Sequence, residues 1–600
     1  IQFASGQYLD FQWEEDKVTS IRDCLGRKVT YHYQGDLLTE VETLTGGLEK
    51  YAYDTEGRVV GVTDANGVNY IHNEYDAKGR VTRQVLSNGQ EYVILYDDAN
   101  RVNTCLSPAG NREVRYFYNK DRQITRVVYQ DGTAEEKGYD IWENRVWEKD
   151  RNGNETHRTF DEYSHLLEER FPDGRVVSYE YDGEGNRIHM WDNAGLSIRY
   201  AYDRKGNLIQ ETEQIDPAHS RKVSFEYDQY GRITAFTGPG GGRETYEYRH
   251  RFWAYEAFVS ALGNRFEYAY DRAGRRVSAT DGEGTCRYAY NNYDILCMAV
   301  NPLGETTKHV YDKTFNLVKV VRPNHANMLA ANEKGETYTY DAFHKLLSRT
   351  DETGAVSAVL RDVEGNVVKE INPNCYDSTT RDGAGIEYGY DRYDNLCRVL
   401  YPDGGVERRW HDPVGNLVKV CRPEQYDMQG DCGEGYSYAY DSMGRLVQAT
   451  APDGTVQKRY AYDLGGNIVK VINAEGMGTG ETDEDRIGEL YTYNCLGWLT
   501  EVRKPMILGE EGAKYALTQF KYDAAGNPVQ EKRFLEYQTE TSASGRIHTI
   551  TYQYDAESKL TRVIDCTGAE VEYRYDRQGR RIREKRKISA TVSQVLGWRY

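Results

Sequence analysis

The chain lacks the long apolar runs, the surplus of basic residues and the paired cysteines that mark several large protein classes. No apolar stretch approaches about 18 residues, so the sequence predicts no membrane-spanning helix. Asp and Glu number 95 against 76 Lys and Arg, a net charge of −19, which disfavours nucleic acid or an anionic membrane as a partner. The ten cysteines form no Cys-x-x-C pair and predict neither a zinc site nor a disulfide framework.

Short motifs of common catalytic and cofactor sites are also missing. The sequence contains no His-Glu-x-x-His, Gly-x-Ser-x-Gly or Walker-type stretch. The Gly-rich segment 238–244 has neither the Lys-Ser/Thr pair nor the following helix that phosphate binding needs, and predicts a loop. The abundant Asp residues fit turn capping better than calcium binding, because no Gly-Gly-x-Gly-x-Asp frame occurs. We therefore predict no catalytic residue, no cofactor and no metal site.

Tyrosine, in contrast, is abundant, at 52 of 600 residues, while the mean hydropathy is −0.79. So polar a chain cannot fill a thick apolar core, yet its aromatic content and regular turn residues exclude disorder. These numbers predict a thin wall packed by Tyr rings.

The Tyr residues belong to a repeat that runs the length of the chain. Spacings are mostly 20 to 22 residues in the first half, and from about residue 311 they often reach 29 or more. About 25 units fill residues 1–600 with no linker between them, which predicts one continuous repeat domain. The anchoring positions are Trp13, Tyr33, Tyr53, Tyr75, Tyr96, Tyr118, Tyr139, Phe160, Tyr181, Tyr202, Tyr227, Tyr248, Tyr270, Tyr290, Tyr311, Tyr340, Arg361, Tyr390, His411, Tyr440, Tyr462, Tyr493, Tyr522, Tyr554 and Tyr575.

Each unit reads as a β-hairpin. Residues 51–54, "YAYD", alternate as a strand does, and Asp54 to Gly57 predict a tight turn, since Asp caps backbone amides and Gly adopts positive φ. "RVVGVT" is a second strand, and 64–67 a second turn. In the Tyr96 unit, Asn100 is predicted to take the left-handed position of the Gly. The structural signature of the repeat is predicted at Tyr53, Asp54, Gly57, Arg58, Tyr75, Asp76, Gly79, Arg80, Tyr270, Asp271, Gly274, Arg275, Tyr440, Asp441, Gly444, Arg445, Tyr575, Asp576, Gly579 and Arg580.

Isolated hairpins are barely stable in water, so the units must pair side by side, with cross-strand Tyr ladders stabilising the pairs. A flat sheet would leave long open edges, and a propeller would need about twelve blades where four to eight are usual. Because strands twist, we predict an all-β fold: a long antiparallel hairpin ribbon coiled into a hollow β-spiral shell.

Several stretches resemble the YD repeat of Rhs proteins, among them "YDTEGRVV", "YDAKGRVT", "YDRAGRRV", "YDSMGRLV" and "YDRQGRRI". The same repeat also occurs in the BC components of bacterial Tc toxins and in teneurins. The resemblance covers essentially the whole chain. It implies a β-spiral cocoon that, in bacterial members, encloses a C-terminal toxin domain of the same chain until delivery, and it implies a secreted or cell-surface location. Secretion-apparatus and immunity proteins would bind through regions outside this segment.

The chain departs from that family at its end, where no DPxGxxDPxG-like self-cleavage segment occurs. Asp412-Pro413-Val414-Gly415 stands in register as an ordinary repeat turn. The start "IQFASGQY" and the end "LGWRY" predict a segment of a longer protein, with the cleavage motif and toxin beyond residue 600. We therefore expect this segment not to be an enzyme.

Two other functions stay open on the sequence alone. The first is an extracellular adhesion or carbohydrate-binding module, because exposed Tyr rows could stack on sugar rings. The second is an enzyme acting on polysaccharide, which would need paired acids that no unit offers. Long insertions at 322–336, 372–387, 422–435 and 473–489, and after Val502 and Arg533, lengthen the second turn, and they are either a partner surface or tolerated loops.

Overall fold

The computed structural model describes residues 1–3, 6–44, 46–107, 112–248, 254–326, 333–509, 512–587 and 592–598. Fifty-one strands belong to one antiparallel sheet, and the two shortest, Tyr426–Asp427 and Cys432–Gly433, pair with each other. Within these ranges, no helix is long and apolar enough to cross a membrane. The all-β ribbon of antiparallel hairpins predicted from the repeat is confirmed.

Strands alternate with turns along the described part of the ribbon, and most of these turns are tight. Up to residue 259 they are Leu9–Glu14, Lys17–Asp23, Lys28–Gln34, Leu37–Glu42, Leu48–Tyr53, Val59–Thr63, Asn69–Tyr75, Val81–Leu86, Glu91–Asp97, Val102–Ser107, Arg112–Tyr118, Ile124–Tyr129, Ala134–Tyr139, Arg145–Lys149, Glu155–Phe160, Leu166–Arg170, Val176–Tyr181, Arg187–Asp192, Ser197–Tyr202, Leu208–Asp216, His219–Tyr227, Ile233–Thr237, Arg243–Glu247 and Ala257–Val259.

The later strands include several longer ones. They are Arg265–Tyr270, Arg276–Thr280, Thr285–Tyr290, Leu296–Val300, Thr306–Tyr311, Leu317–Val321, Glu336–Tyr340, Leu346–Thr350, Val356–Arg361, Val367–Asp377, Asp382–Tyr390, Leu396–Leu400, Val406–His411, Leu417–Cys421, Tyr426–Asp427, Cys432–Gly433, Tyr436–Tyr440, Leu446–Thr450, Val456–Tyr462, Ile468–Asn473, Glu489–Tyr493, Leu499–Gly509, Gly512–Tyr522, Pro528–Phe534, Ile547–Tyr554, Leu560–Ile564, Glu570–Tyr575, Arg581–Lys587 and Ser593–Gly597. The helical segments are short, an α-turn at Pro323–Ala326 and a 3-10 turn at Ala474–Gly476.

A β-bulge stands beside the anchoring residue of most hairpins. In the unit at Tyr53 the register shifts between Ala52 and Tyr53, so that Tyr53 pairs with Val59. The same shift precedes Tyr270, Tyr440 and Tyr575. Because a bulge adds right-handed twist, its recurrence gives successive hairpins the same local twist.

The ribbon has two edges, each made by a different set of turns. Turns that follow the Tyr-Asp pair, here called YD turns, lie along one edge, and the turns between units, here called second turns, lie along the other. This separation follows from the meander, because alternate turns of consecutive antiparallel strands emerge at opposite ends. The long insertions lie between strands that second turns connect, so within each unit their described residues lie at the edge opposite the YD turns.

The chain forms two compact units, each containing an earlier and a later pass of the ribbon. Unit 1 combines residues 1–136 with 267–433 and the segment 248–256. Unit 2 combines 137–247 and 257–266 with 434–600.

The wall is thin, as its composition predicts. Few large side chains in the described part of the chain are fully enclosed, namely Ile472, Leu517, Val321 and Cys421. Most Tyr side chains of the strands are half-buried instead. Stability therefore depends on many repeated polar contacts in the turns as well as on apolar packing.

Candidate functional site: the repeat turns and the seams they form

The Asp of each YD turn holds the turn closed. One carboxylate oxygen of Asp54 accepts the backbone N–H groups of Glu56 and Arg58, both at 2.9 Å, while the other accepts Nε of Arg58 at 2.7 Å. The N–H of Gly57 donates to the carbonyl of Asp54 at 3.1 Å, with φ of 78° at the Gly. Asp76, Asp271, Asp441 and Asp576 cap their turns in the same way.

These contacts favour the ionised carboxylate. The backbone N–H of Arg58, helped by its guanidinium and by the N–H of Glu56, lowers the pKa of Asp54. Asp76 has its pKa lowered in the same way by the backbone N–H of Arg80. The Asp residues of these turns therefore act as turn caps, the geometry that the repeat predicts.

The anchoring Tyr contributes its hydroxyl as well as its ring to the structure. The hydroxyl of Tyr53 donates to the carbonyl of Leu38 at 2.7 Å, and that of Tyr75 to Val59 at 2.6 Å. Tyr270 and Tyr575 donate likewise to carbonyls fifteen residues earlier. Each Tyr therefore ties its strand to the preceding hairpin, a role that the sequence analysis, which assigned the rings to cross-strand ladders, did not identify.

The Arg that follows the turn Gly joins one unit to the next. The guanidinium of Arg58 lies 4.9 Å from the ring centre of Tyr75, and Arg58 also donates to the carbonyl of Asp76 at 3.1 Å. Arg80 lies 4.0 Å from the ring centre of Tyr96. Equivalent contacts join Arg275 to Tyr290 and Arg445 to Tyr462. The Tyr-Asp-x-x-Gly-Arg stretch, which contains the four signature residues, thus connects successive units.

Positive φ at the turn does not require Gly. Glu143, Ser164, Phe315 and His344 take the Gly position in their units with φ between 63° and 74°. The capping Asp holds this backbone shape, because its carboxylate accepts backbone N–H groups whatever side chain stands at the Gly position.

The expectation for Asn100 was wrong. The left-handed residue of that turn is Arg101, with φ of 56°. In other units a β-bulge beside the anchoring residue takes up one residue. Here the strands pair without a bulge as far as Asp97 and Val102, so that residue lies in the turn and the left-handed position moves by one.

Within unit 1, the YD turns of the later pass pack against the second turns of the earlier pass, an arrangement here called a seam. Arg112 forms a bidentate ion pair with Asp394, with Nη1 2.8 Å from Oδ2. Arg27 donates to Oδ1 of Asp294 at 2.6 Å. Asn66 donates to the hydroxyl of Thr314 at 2.7 Å. These partners are 248 to 282 residues apart in sequence.

Unit 2 contains a seam of the same kind. Arg445, in a YD turn of the later pass, lies 3.2 Å from Asp173 in a second turn of the earlier pass. Ser260 donates to Glu557 at 2.6 Å, and the N–H of Cys495 donates to the carbonyl of Ile215 at 3.3 Å. In both units the later pass faces the seam with its YD turns, so its insertion-bearing second turns lie on the opposite edge.

The substituted anchors behave differently from one another. Arg361 donates from its guanidinium to the carbonyl of Leu346 at 3.3 Å and replaces the Tyr hydroxyl. His411 has a buried Nδ1 for which no described residue is a hydrogen-bond partner. The turn after it is an ordinary capped turn, with Asn416 N–H 2.8 Å from Asp412 and φ of 94° at Gly415, as its register predicts.

Within the described ranges, no cluster of His, Cys, Asp or Glu has the arrangement of a metal site.

The RHS Repeat family matches residues 181–221, 411–456, 440–476 and 554–586. Two curated proteins of Dickeya dadantii (strain 3937) are similar. "Probable deoxyribonuclease RhsB" is 26% identical over 366 residues, covering 49% of this chain and 25% of that protein. "Probable deoxyribonuclease RhsA" is 27% identical over 157 residues, covering 26% of this chain and 11% of that protein. The chain therefore matches a quarter or less of either relative's length.

Solved structures share the fold over almost the entire chain. The crystal structure of TcdB2-TccC3 matches with a TM-score of 0.56 at 12% identity, covering 98% of this chain and 38% of that one. TcdB2-TccC3 without its hypervariable C-terminal region matches with a TM-score of 0.56 at 12% identity, covering 98% and 39%. At this identity the likeness concerns the fold alone, and it agrees with the β-spiral class predicted from the repeat.

Proposed function

We propose that this chain, in which four segments match the RHS Repeat family, is the wall of a shell that encloses a toxin domain of the same chain until delivery. The observation that carries the proposal is the seam. Within each unit, the YD-turn edge of one pass is sealed against the second-turn edge of another. An antiparallel ribbon whose passes are joined at their turns in this way would form a wall one sheet thick, held by backbone hydrogen bonds within each pass and by turn-to-turn contacts between passes.

The proposed role of the wall is mechanical. Repeated caps, hydroxyl contacts and ion pairs make a barrier whose stability is spread over many similar units, so a single change is expected to open it only locally, where it breaks a seam. We further propose that this segment is not itself an enzyme, that any toxin activity lies outside residues 1–600, and that the protein is secreted or displayed at the cell surface.

The test uses the natural full-length protein. It is purified, exposed to protease, and its intact masses are recorded before and after denaturation. A C-terminal fragment that resists protease until the wall unfolds is the expected result. A C-terminal region that is digested at the same rate as free polypeptide would contradict enclosure and favour a display or adhesion module.

A seam variant sharpens this test. Arg112→Glu places a carboxylate against Asp394 and should raise the protease sensitivity of the enclosed domain, while the exchange Arg112→Asp with Asp394→Arg should restore protection. Arg83→Glu is the control, because Arg83 pairs with Glu74 inside its own hairpin and with Glu91 on the next strand of the same pass, each at 2.6 Å and away from the seam. Equal effects of Arg112→Glu and Arg83→Glu would show that the seam does not control access.

A further inference from the structure

One face of the last strands of unit 2 is basic, although the chain carries a net charge of −19. Successive side chains of a strand alternate between the two faces of a sheet. The strand register therefore assigns residues to this face across the six neighbouring strands from Gly512–Tyr522 to Arg581–Lys587. The face, here called the basic face, has two acidic residues, Glu570 and Glu572. Its basic residues are Lys521, Lys532, Arg562, Arg574, Arg583, Lys585 and Lys587.

Most of these basic side chains are not neutralised by the wall itself. In the earlier pass of unit 2, Arg158 shows how a strand Arg is neutralised, since it lies 2.8 Å from Glu169 directly opposite on the next strand. On the basic face, Arg562 has such a partner, with Nε 2.5 Å from Glu570. The other basic side chains of the face have no ion-pair partner among the described residues.

Two of the unpaired residues, Arg574 and Arg583, stand directly opposite each other on adjacent strands. Like charges at opposed positions are destabilising. The carboxylates of Glu570 and Glu572 stand opposite Lys587 and Lys585, so neither is placed against the two Arg residues. A negatively charged group of a partner would offset this repulsion.

A cavity of about 350 Å³ opens on the same face. Lys521 and Lys532 line it, together with Gln519 and Glu501. Both oxygens of Glu501 are engaged, one by Nε of Arg503 at 2.6 Å and the other by the side-chain amide of Gln519 at 2.8 Å. A carboxylate that entered the cavity would therefore meet two ammonium groups that no described carboxylate binds.

Neutral polar side chains lie between the cavity and the opposed Arg residues. Gln530, Thr551 and Gln553 occupy the basic face on the intervening strands, and amide and hydroxyl groups of this kind can pair with peptide N–H and C=O groups. A nucleic acid carries a charge at every phosphate, and the acidic chain as a whole would repel it. These observations favour an acidic polypeptide as the partner.

We propose that the basic face docks an extended acidic segment of a partner protein. Six neighbouring strands span about 24 Å, the length of roughly seven extended residues. One carboxylate of the segment would enter the cavity between Lys521 and Lys532, and others would lie over Arg574 and Arg583. This docking is independent of cargo enclosure, so either can fail while the other holds.

The test is fluorescence anisotropy of a labelled Glu-Gly repeat peptide of about twelve residues, which is long enough to cross the six strands, titrated with the purified chain at low salt. Saturable binding that weakens as the salt concentration rises is expected, since salt screens exposed charges. Arg574→Gln with Arg583→Gln should weaken binding at least about tenfold, and Lys521→Gln with Lys532→Gln should weaken it several-fold. Removing two opposed like charges should not destabilise the strands, so weaker binding by the first variant would reflect the lost charges.

Arg533→Gln with Arg586→Gln is the matched control. Both residues lie on the opposite face of these strands, where they pair with Glu531 and Glu584. The control therefore removes the same amount of charge from the same part of the wall, and it should leave peptide binding nearly unchanged.

The proposal is overturned if the peptide does not bind at millimolar concentration and low salt, or if the control weakens binding as much as the variants of the basic face. It is also overturned if single-stranded DNA of the same charge binds more tightly than the peptide. Self-association of the chain without peptide, abolished by Arg574→Gln with Arg583→Gln, would identify a second copy as the occupant and would likewise overturn it.

Discussion

Two YD turns of unit 2 offer a direct measurement of what the turn Gly contributes. Residues 140–144, "DIWEN", and 203–207, "DRKGN", have the same Asp cap and the same Asn after the turn, with amide-to-carboxylate distances of 2.9 Å in both. They differ at the left-handed position, where Glu143 has φ of 72° and Gly206 has φ of 81°. Glu143 is exposed, so its side chain contributes little else.

The expected magnitudes follow from backbone strain. A side chain in the left-handed region costs about 1–2 kcal/mol, while Gly loses roughly 0.5–1 kcal/mol more conformational freedom on folding. At Gly206 an added Cβ meets nothing closer than 3.8 Å, so no clash adds to the strain. Gly206→Ala should therefore destabilise its hairpin by about 0.5–1 kcal/mol, and Glu143→Gly should stabilise its hairpin by a similar amount.

Hydrogen exchange is the appropriate assay, because a long repeat array need not unfold in one step. Amide exchange in Leu208–Asp216 should become about two- to fivefold faster in Gly206→Ala, and exchange in Arg145–Lys149 slower by a similar factor in Glu143→Gly. Changes of the same sign in the two variants would refute the strain argument. An unchanged rate in both would show that the Asp cap alone sets the turn.

Three further predictions concern the polar contacts of the wall. Tyr227→Phe removes the 2.7 Å hydrogen bond to the carbonyl of Leu208 and should lower the stability of that hairpin by about 0.5–1.5 kcal/mol. Hydrogen exchange measures the change, and Phe160→Tyr is the reverse substitution, which should stabilise its hairpin. Arg80→Ala, which removes the cation over Tyr96, should destabilise its hairpin more than Arg80→Lys does, and equal effects would exclude the ring contact as the cause. The hydrogen bonds of Glu336 with Arg349, then with Tyr338 and Arg322, lower its pKa from 4.5 to about 2, so its contribution should be fully present above pH 4.5 and lost as the pH falls toward 2. Thermal unfolding of the wild type and Glu336→Gln across that range should converge at low pH, and parallel curves would contradict the assignment.

Much of the fold was predictable because the information is local. A turn of four residues, an alternation of period two and a recurring spacing each depend on neighbours in sequence, so Asp54, Gly57 and their equivalents were identified without coordinates. Tyr was recognised from the same pattern, but its hydroxyl partner was not, because the carbonyl it contacts belongs to another hairpin and carries no side-chain signal.

The departures from the repeat were visible but not interpretable. Trp498 could be read as a substitution at an Arg position, and the spacing from Tyr202 to Tyr227 as slightly long. In the structure the guanidinium of Arg221, in that long hairpin, lies 5.4 Å from the indole of Trp498. Nothing in the sequence brings them together, because they are almost three hundred residues apart. The error at Asn100 has a related cause, since the register of one ladder, not the identity of the residue, decides which position is left-handed.

The sequence by itself determined the hairpin, its two turns and the number of times they recur, since each is set by the φ preferences and capping groups of adjacent residues. Only the tertiary structure decided which turns meet. Arg112 and Asp394 are ordinary members of their own units, and they form a seam because the accumulated twist of many strands brings one pass of the ribbon beside another. The twist of each strand is small, but it is summed over a long chain. The relative position of Arg112 and Asp394 therefore depends on every bulge and insertion between them, and no short segment alone decides it.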